Sequence, residues 1–225
     1  MRKLIISFAL LLVTGVGPAV TTAAAAELTF ALDQIFNPIL IPDVAPQAVV
    51  TLTDVGDVVR VDVTNISSGN LDSLYFNFNG DPYGSDPRDL RFSNVTLDGA
   101  DLNVSEFRTR LARNENQRRG NLLASGGGFY DGVFDFRRGS SLDSGETLSF
   151  DLAINGVDLS ISDFVGTSLS DGTGPTFVFA SRIFGQEGGS VWAGGMTPAP
   201  IPASFLLFGS SLIGLIAISR MNLFT

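Results

Sequence analysis

The sequence predicts an all-β chain: one antiparallel β-sandwich, jelly-roll-like, set between an N-terminal signal peptide and a C-terminal transmembrane segment. Three observations predict it. Between residues 27 and 197, apolar side chains recur with a period of two in short runs broken by Gly, Asp, Asn and Ser clusters, the pattern of half-buried strands joined by tight turns. The chain contains no cysteine, so an exported domain must be held by packing alone, for which it has 18 phenylalanines. Both ends carry apolar runs that lack this alternation.

The N-terminal end comes first. Arg2 and Lys3 make a positive start, Leu4 to Val16 an apolar stretch, and Ala24-Ala25-Ala26 a small-residue cleavage site recognised at Ala24 and Ala26. Residues 1–26 therefore read as a secretory signal peptide that uses the Sec machinery, and the mature chain is expected to start at Glu27. The alternative is an uncleaved anchor, for which an apolar run of roughly 13 residues is short. Residues 27–197 then form one domain, since roughly 170 residues suffice for one sizeable core and not for two.

The strands follow in order. Ala48 to Thr53 and Val58 to Thr64 alternate β-formers with polar residues, and Asp54-Val55-Gly56-Asp57 between them is a turn cluster, so the two make a hairpin. In Leu71 to Phe78 the apolar residues 74, 76 and 78 oppose Ser73, Tyr75 and Asn77, which predicts one face inward and one wet. Further strands are expected at Leu90 to Leu97, Phe129 to Phe136, Thr147 to Ala153, Phe177 to Phe184 and around Val191-Trp192. Eight or more short strands at turn-rich spacing, without a long helical pattern, indicate the jelly-roll-like sandwich. Two stretches break the pattern: Ser105 to Arg113 reads as a turn or two of helix, and Val157 to Leu169 is ambiguous.

The C-terminal tail, residues 198–225, has three parts. Pro198, Pro200 and Pro202 cannot propagate a helix and hold the chain extended. From about Ala203 to Ser219 no charge occurs, and roughly 17 residues is the lower limit for a helix crossing a bilayer. Arg220 then lies at the cytoplasmic face. The alternative, a buried core helix, is opposed by the absence of a polar face. The string Pro200-Ile201-Pro202-Ala203-Ser204, followed by Phe205-Leu206-Leu207-Phe208-Gly209-Ser210-Ser211-Leu212-Ile213-Gly214-Leu215-Ile216, resembles the PEP-CTERM sorting signal of Gram-negative bacteria in its Val-Pro-Leu-Pro-Ala-Ser variant. The resemblance covers only residues 198–225; the motif lacks the glutamate of the eponymous triplet, and the usual basic cluster is reduced to Arg220. It implies recognition of the proline motif by a membrane-embedded exosortase, removal of the tail, and delivery of the protein to the cell surface or the extracellular matrix. It also implies a β passenger domain, to which the strings around Leu74-Tyr75-Phe76 and Phe134-Asp135-Phe136 are loosely similar.

Charge and composition limit the chemistry between the ends. All 23 acidic residues fall within 27–199, whereas Arg2, Lys3 and Arg220 of the 14 basic residues fall outside, which leaves 11 basic residues and a formal charge of −12. Such a surface disfavours nucleic acid and anionic lipid and suits solubility, cations and hydrated polysaccharide. With no His and no Cys, His-dependent nucleophilic catalysis and imidazole- or thiolate-ligated metals are excluded. Paired carboxylates could serve a glycosidase, but nothing singles out one pair, so no enzyme, no catalytic residue and no cofactor are expected. The expected role is a non-enzymatic surface or matrix protein associated with exopolysaccharide; the rival is a carbohydrate-binding module that stacks sugars on Trp192, Tyr75, Tyr83 or Tyr130 if these are exposed.

Four minor candidates complete the reading. Asp81, Asp86 and Asp89, with Asn77 and Asn79, gather oxygen ligands that suit Ca²⁺, although the spacing is not that of an EF-hand and the same residues make ordinary turns. Arg108, Arg110, Arg113, Arg118 and Arg119 form a basic cluster, either a contact for acidic polysaccharide or a neighbouring copy, or a solvated loop. Gly126-Gly127-Gly128 reads as a mobile joint. The sequons at Asn65, Asn94 and Asn103 would mean glycosylation in a eukaryotic secretory route and in a bacterial chain read as polar strand ends.

Overall fold

The computed structural model describes residues 25–36, 45–80, 86–103, 107–112, 122–136, 141–172, 174–186, 189–196 and 198. The strands are β1 (Glu27–Leu32), β2 (Gln34–Phe36), β3 (Ala48–Val55), β4 (Val58–Asn65), β5 (Asn70–Phe76), β6 (Arg91–Leu97), β7 (Ala100–Asp101), β8 (Phe107–Leu111), β9 (Leu123–Ala124), β10 (Gly128–Phe129), β11 (Gly132–Phe136), β12 (Thr147–Ala153), β13 (Phe179–Gln186) and β14 (Gly189–Gly195). A first sheet has the order β1-β3-β4-β12-β6-β7, a second β2-β14-β13-β5-β11-β8, and β9 pairs with β10 alone. Every strand pair among the described residues is antiparallel, and these residues are all-β apart from short 3₁₀ turns, as the period-two pattern predicts for 27–197.

Alternation decides which side chains meet. In β4, Val59, Val61 and Val63 are buried while Arg60, Asp62 and Thr64 face out. The β3–β4 hairpin closes as expected, with Val55 opposite Val58 and Gly56 at φ 68°, a conformation that a residue without Cβ takes cheaply. Phenylalanines join the sheets. Phe134 of the second sheet stacks on Phe150 of the first at 5.0 Å and on Phe107 at 4.8 Å, Phe92 lies 5.5 Å from Phe150, and Phe30 meets Phe179 edge-on at 5.2 Å. One cluster of buried residues therefore runs between the two sheets, and each fully buried Phe in it is worth about 1.5–3 kcal/mol relative to exposure.

Several expectations need correction. Within the stretch expected to be helical, Phe107–Leu111 is a strand paired with β11; Phe107, Thr109 and Leu111 alternate with Arg108 and Arg110, and Phe107 gains the stack on Phe134. The run expected at Phe129 to Phe136 breaks into β10 and β11 at Tyr130-Asp131. The ambiguous stretch contains a 3₁₀ helix at Ile161–Phe164, where Asp163 accepts the Ser160 N–H at 2.9 Å. The face of Leu71 to Phe78 expected to be wet is not: Ser73, Tyr75 and Asn77 are all buried.

The two ends of the domain meet. Phe30 of β1 forms a β-bridge with Pro198, and Asp54 N–H donates to the Ala26 carbonyl at 3.0 Å, so the residue before the expected mature start already continues the ladder. Among the described residues no helix is long and apolar enough to cross a membrane. Ala24 and the earlier signal residues, the motif Pro200 to Ser204, the 203–219 span and Arg220 lie outside the described residues.

Candidate functional site on the outer face of the second sheet

The outer face of the second sheet is divided in two. Its upper half carries a separate apolar cluster: Phe36 from β2, Tyr75 from β5, Val133 from β11, Ala180 from β13 and Trp192 from β14, closed from above by Leu122, Ala124, Tyr130 and Phe177. Phe36 stacks on Phe177 at 4.7 Å, and Tyr75 meets Trp192 at 5.2 Å and Tyr130 at 5.6 Å. The cover is tied down by hydrogen bonds. Phe129 and Leu169 exchange backbone bonds of 2.8 and 2.9 Å, and Ser168 Oγ donates to the Gly127 carbonyl at 2.7 Å while accepting the Phe177 N–H at 3.1 Å. Burial pushes the Tyr130 phenol far above its usual range, and it raises that of Tyr75 as well.

Gly126-Gly127-Gly128 is thus no mobile joint. It forms the turn of the β9–β10 hairpin, with Gly126 and Gly128 at φ 83° and 89°. A Cβ on Gly127 would lie 2.6 Å from the Phe36 ring, so only glycine lets the hairpin close on that aromatic surface.

The lower half is charged. Register places Arg108 of β8 opposite Asp135 of β11, Asp135 opposite Ser73 of β5, and Ser73 opposite Arg182 of β13, one row across four strands at about 4.8 Å per step. Arg110 and Arg108 reach the same carboxylate oxygen of Asp135, at 2.9 and 3.5 Å. Arg182 lies 4.0 Å from Asp72 and 4.3 Å from the centre of the Phe184 ring, over which its guanidinium sits. Burial pushes the Asp72 carboxyl up, against the opposing effects of the Ser73 hydroxyl, 3.1 Å away, and the Arg182 charge. Among the described residues, three guanidiniums and two carboxylates meet here; Ser73 in the middle of the row is buried, while its ends are exposed, the Arg108 side chain 60% and Phe184 38%. All 11 basic residues of 27–199 are arginines.

The outer face of the first sheet differs in kind. It is a ladder of short polar side chains: Thr29 and Thr51 share a hydrogen bond at 3.2 Å, Thr64 and Thr147 one at 2.9 Å, and Ser149 donates to Asp62. A fixed charge pair on this face joins Arg60 to the buried Asp151, at 2.8 and 3.2 Å, and Asn94 adds a 2.6 Å bond to the same carboxylate. Asn94 takes φ 50° beside the register shift between Ser149 and Asp151, which aims its amide at the carboxylate. Burial pushes the Asp151 carboxyl up, but the bonds from Arg60 and Asn94 and the Arg60 charge outweigh it and hold the group below the usual carboxylate range.

The residues singled out in the sequence fall as follows. Asp86 caps the 3₁₀ helix Pro87–Asp89, accepting the Arg88 N–H at 2.9 Å, and Asp89 accepts the Asp86 N–H at 2.9 Å, so both carboxylates are engaged in a capping box. Asp81 lies outside the described residues, among which no three acidic side chains gather around a common point. Asn77 is buried and donates to the carbonyls of Phe177 and Val178. Of the arginine cluster, Arg108 and Arg110 come together at Asp135, while Arg113, Arg118 and Arg119 lie outside the described residues. Asn65 is fully buried, its amide bonded to the carbonyls of Gly69 and Leu142, and offers no glycan acceptor. Trp192, Tyr75 and Tyr130 are buried and leave no ring face for a sugar; Tyr83 lies outside the described residues. Arg182, Asp72 and Asp135 were missed. The signal available for them was the alternation of charged with apolar residues on strands already recognised.

Comparison of the chain with protein-family models, with curated proteins and with solved structures finds no match.

Proposed function

We propose that this is an exported, non-enzymatic protein of the cell surface or extracellular matrix, sorted by an exosortase through its C-terminal tail and associated with exopolysaccharide. The observation that carries this reading is the pair of terminal segments: a basic-then-apolar leader ending in Ala24-Ala25-Ala26, and a proline strip followed by an uncharged apolar run and Arg220. The domain between them supports it. Among the described residues, the first strand starts at Glu27 and the last pairing is Pro198 on Phe30, two residues before the motif.

The fold is read here as a jelly-roll-like β-sandwich. One core is shared by both sheets, and the central orders β4-β12-β6 and β13-β5-β11 require the chain to change sheets between β4 and β5, β5 and β6, β11 and β12, and β12 and β13. The buried carboxylates also suit a non-enzymatic role: Asp131 accepts the Phe78 N–H at 3.1 Å, while Asp151 and Asp163 are held by the donors described above. The carbohydrate-module alternative would have to work without Trp192, Tyr75 and Tyr130.

The test is in the tail. Pro200→Ala with Pro202→Ala lets a helix run back into the strip. The uncut precursor is expected to accumulate in the membrane fraction, while Leu206→Ile is processed normally, because partitioning depends on summed hydrophobicity. Normal shortening and release of the proline variant on immunoblots would leave a plain C-terminal anchor as the better account.

A further inference from the structure

We propose that the free edge of β1 is the docking site for the proline strip of this chain's own tail, Ala199 to Pro202, which continues the Phe30–Pro198 bridge as an added antiparallel strand and shields the sorting motif while the domain is folded. The pairing follows from β1 and the sequence; the shielding of a motif rests on the sorting reading above.

The edge is the first support. β1 is the outermost strand of the first sheet, paired with β3 on one side and bridged at Phe30 by Pro198 on the other. The carbonyls of Ala26 and Leu32 turn to the β3 side, where they accept the Asp54 N–H at 3.0 Å and the Gln47 N–H at 2.9 Å. Backbone groups alternate in direction along a strand, so those of Glu27, Thr29 and Ala31 turn to the open side. The Ala31 carbonyl agrees: a Cβ on Gly195 would lie 2.6 Å from its oxygen, so a glycine lets the chain leaving β14 pass close over this edge.

Proline spacing is the second support. The strip lies outside the described residues, and its register follows from the bridge: antiparallel continuation from Phe30 opposite Pro198 sets Leu28 opposite Pro200 and Ala26 opposite Pro202. Phe30 turns its own N–H and C=O to β3, so a residue facing it across the open edge has no bond to give there and would turn its N–H to solvent. A proline, which has none, fits that place without loss. Pro198, Pro200 and Pro202 all share this parity, while Ala199 and Ile201 between them keep the N–H groups that the Thr29 and Glu27 carbonyls can accept. The same spacing leaves the new outer edge without donors for a further strand.

Apolar surface is the third. Directly opposed residues of an antiparallel pair share a face, and Leu28 lies on the core face of β1, packed against the buried cluster yet only partly buried itself. Pro200 covers it in this register, whereas a slip of one residue would turn the prolines' missing N–H groups to β1. A strip held in a ladder cannot lie extended in a protease, so cutting waits for the strip to leave β1, an opening at the edge that spares the core.

The chain has no cysteine, so pairs introduced into the uncut precursor, purified in detergent, read this pairing directly. The Cα atoms of a non-hydrogen-bonded pair lie about 4.5 Å apart, within disulfide range. Leu28→Cys with Pro200→Cys should form an intramolecular disulfide in most of the folded chain, seen as a faster band on a non-reducing gel, and lose it in denaturant. Leu28→Cys with Ala199→Cys sets the thiols on opposite faces and should stay reduced. If the loss of Leu28 unfolds the domain by circular dichroism, Thr29→Cys with Ala199→Cys reads the same register from the outer face and should cross-link. Equal oxidation of the Leu28–Pro200 and Leu28–Ala199 pairs, the mark of an unpaired tail, overturns the proposal. So does a disulfide that fails to form or that joins two chains, which would seat a second copy on the edge. In cells, the Thr29–Ala199 disulfide should suppress release of the shortened form until reductant is added, and unchanged release would overturn the shielding. No exosortase is present in the purified precursor, so a failed cross-link leaves the sorting reading intact, and processing elsewhere leaves the pairing intact.

Discussion

The two outer faces are built from the same alternation and end differently. On the first sheet, polar outward residues such as Thr29, Thr51, Arg60, Asp62, Thr64, Thr147 and Ser149 bond one another within the sheet, as in the Thr64–Thr147 and Arg60–Asp151 pairs. On the second, the outward residues of the upper half are Phe36, Tyr75, Val133 and Trp192, and they are dry only because Leu122 to Tyr130 and the Ser168–Phe177 segment lie over them. A strand's pattern thus states which side chains share a face; whether that face is wet depends on what another part of the chain does.

The largest expected effect belongs to the shared core, beneath both faces. Phe134→Ala removes the ring that stacks on Phe107 and Phe150, and should cost about 3–5 kcal/mol in chemical denaturation, a large share of a typical domain's stability. Phe36→Ala acts on the second cluster and should cost about 3 kcal/mol, at the low end because this cluster is small and can settle. It sharpens the comparison through hydrogen exchange: amides of Phe129 and Tyr130 should lose protection while those of β3 and β4 keep theirs.

Titration separates the faces in sign. Asp151 has its folded value below the unfolded one, so between the two the unfolded chain binds more protons; its contribution is complete above the usual carboxylate range and is lost as pH falls through the folded value. Asp151→Asn should therefore cost about 1–2 kcal/mol at neutral pH and less in acid. Asp72 is raised by burial, so the folded chain binds more protons and stability falls as pH rises through that range. Asp72→Asn should leave stability at neutral pH unchanged or slightly higher, the smallest effect of the set, and a marked loss would show that its pairing with Arg182 outweighs its burial.

Much of this was legible in the sequence, and the failures have physical causes. The β3–β4 hairpin, β6, β12 and β13 were readable because their alternation and turn residues agree. Phe107–Leu111 was misread because arginine is a good helix former, whereas its partner strand β11 rewards period two. Tyr75 was placed on a wet face because its cover lies roughly fifty or more residues away along the chain. Asp86 and Asp89 were weighed as weak cation ligands against an ordinary turn, and their capping box around Pro87-Arg88 was not recognised, since carboxylates near Gly and Pro serve several uses.

The most direct measurement is the intact mass of the chain recovered outside the cell. An exported and sorted protein is expected to begin at Glu27 and to lack the Phe205 to Ile218 span. A mass that retains Met1, or one that retains residues 205–225 in the released form, would contradict the central claim.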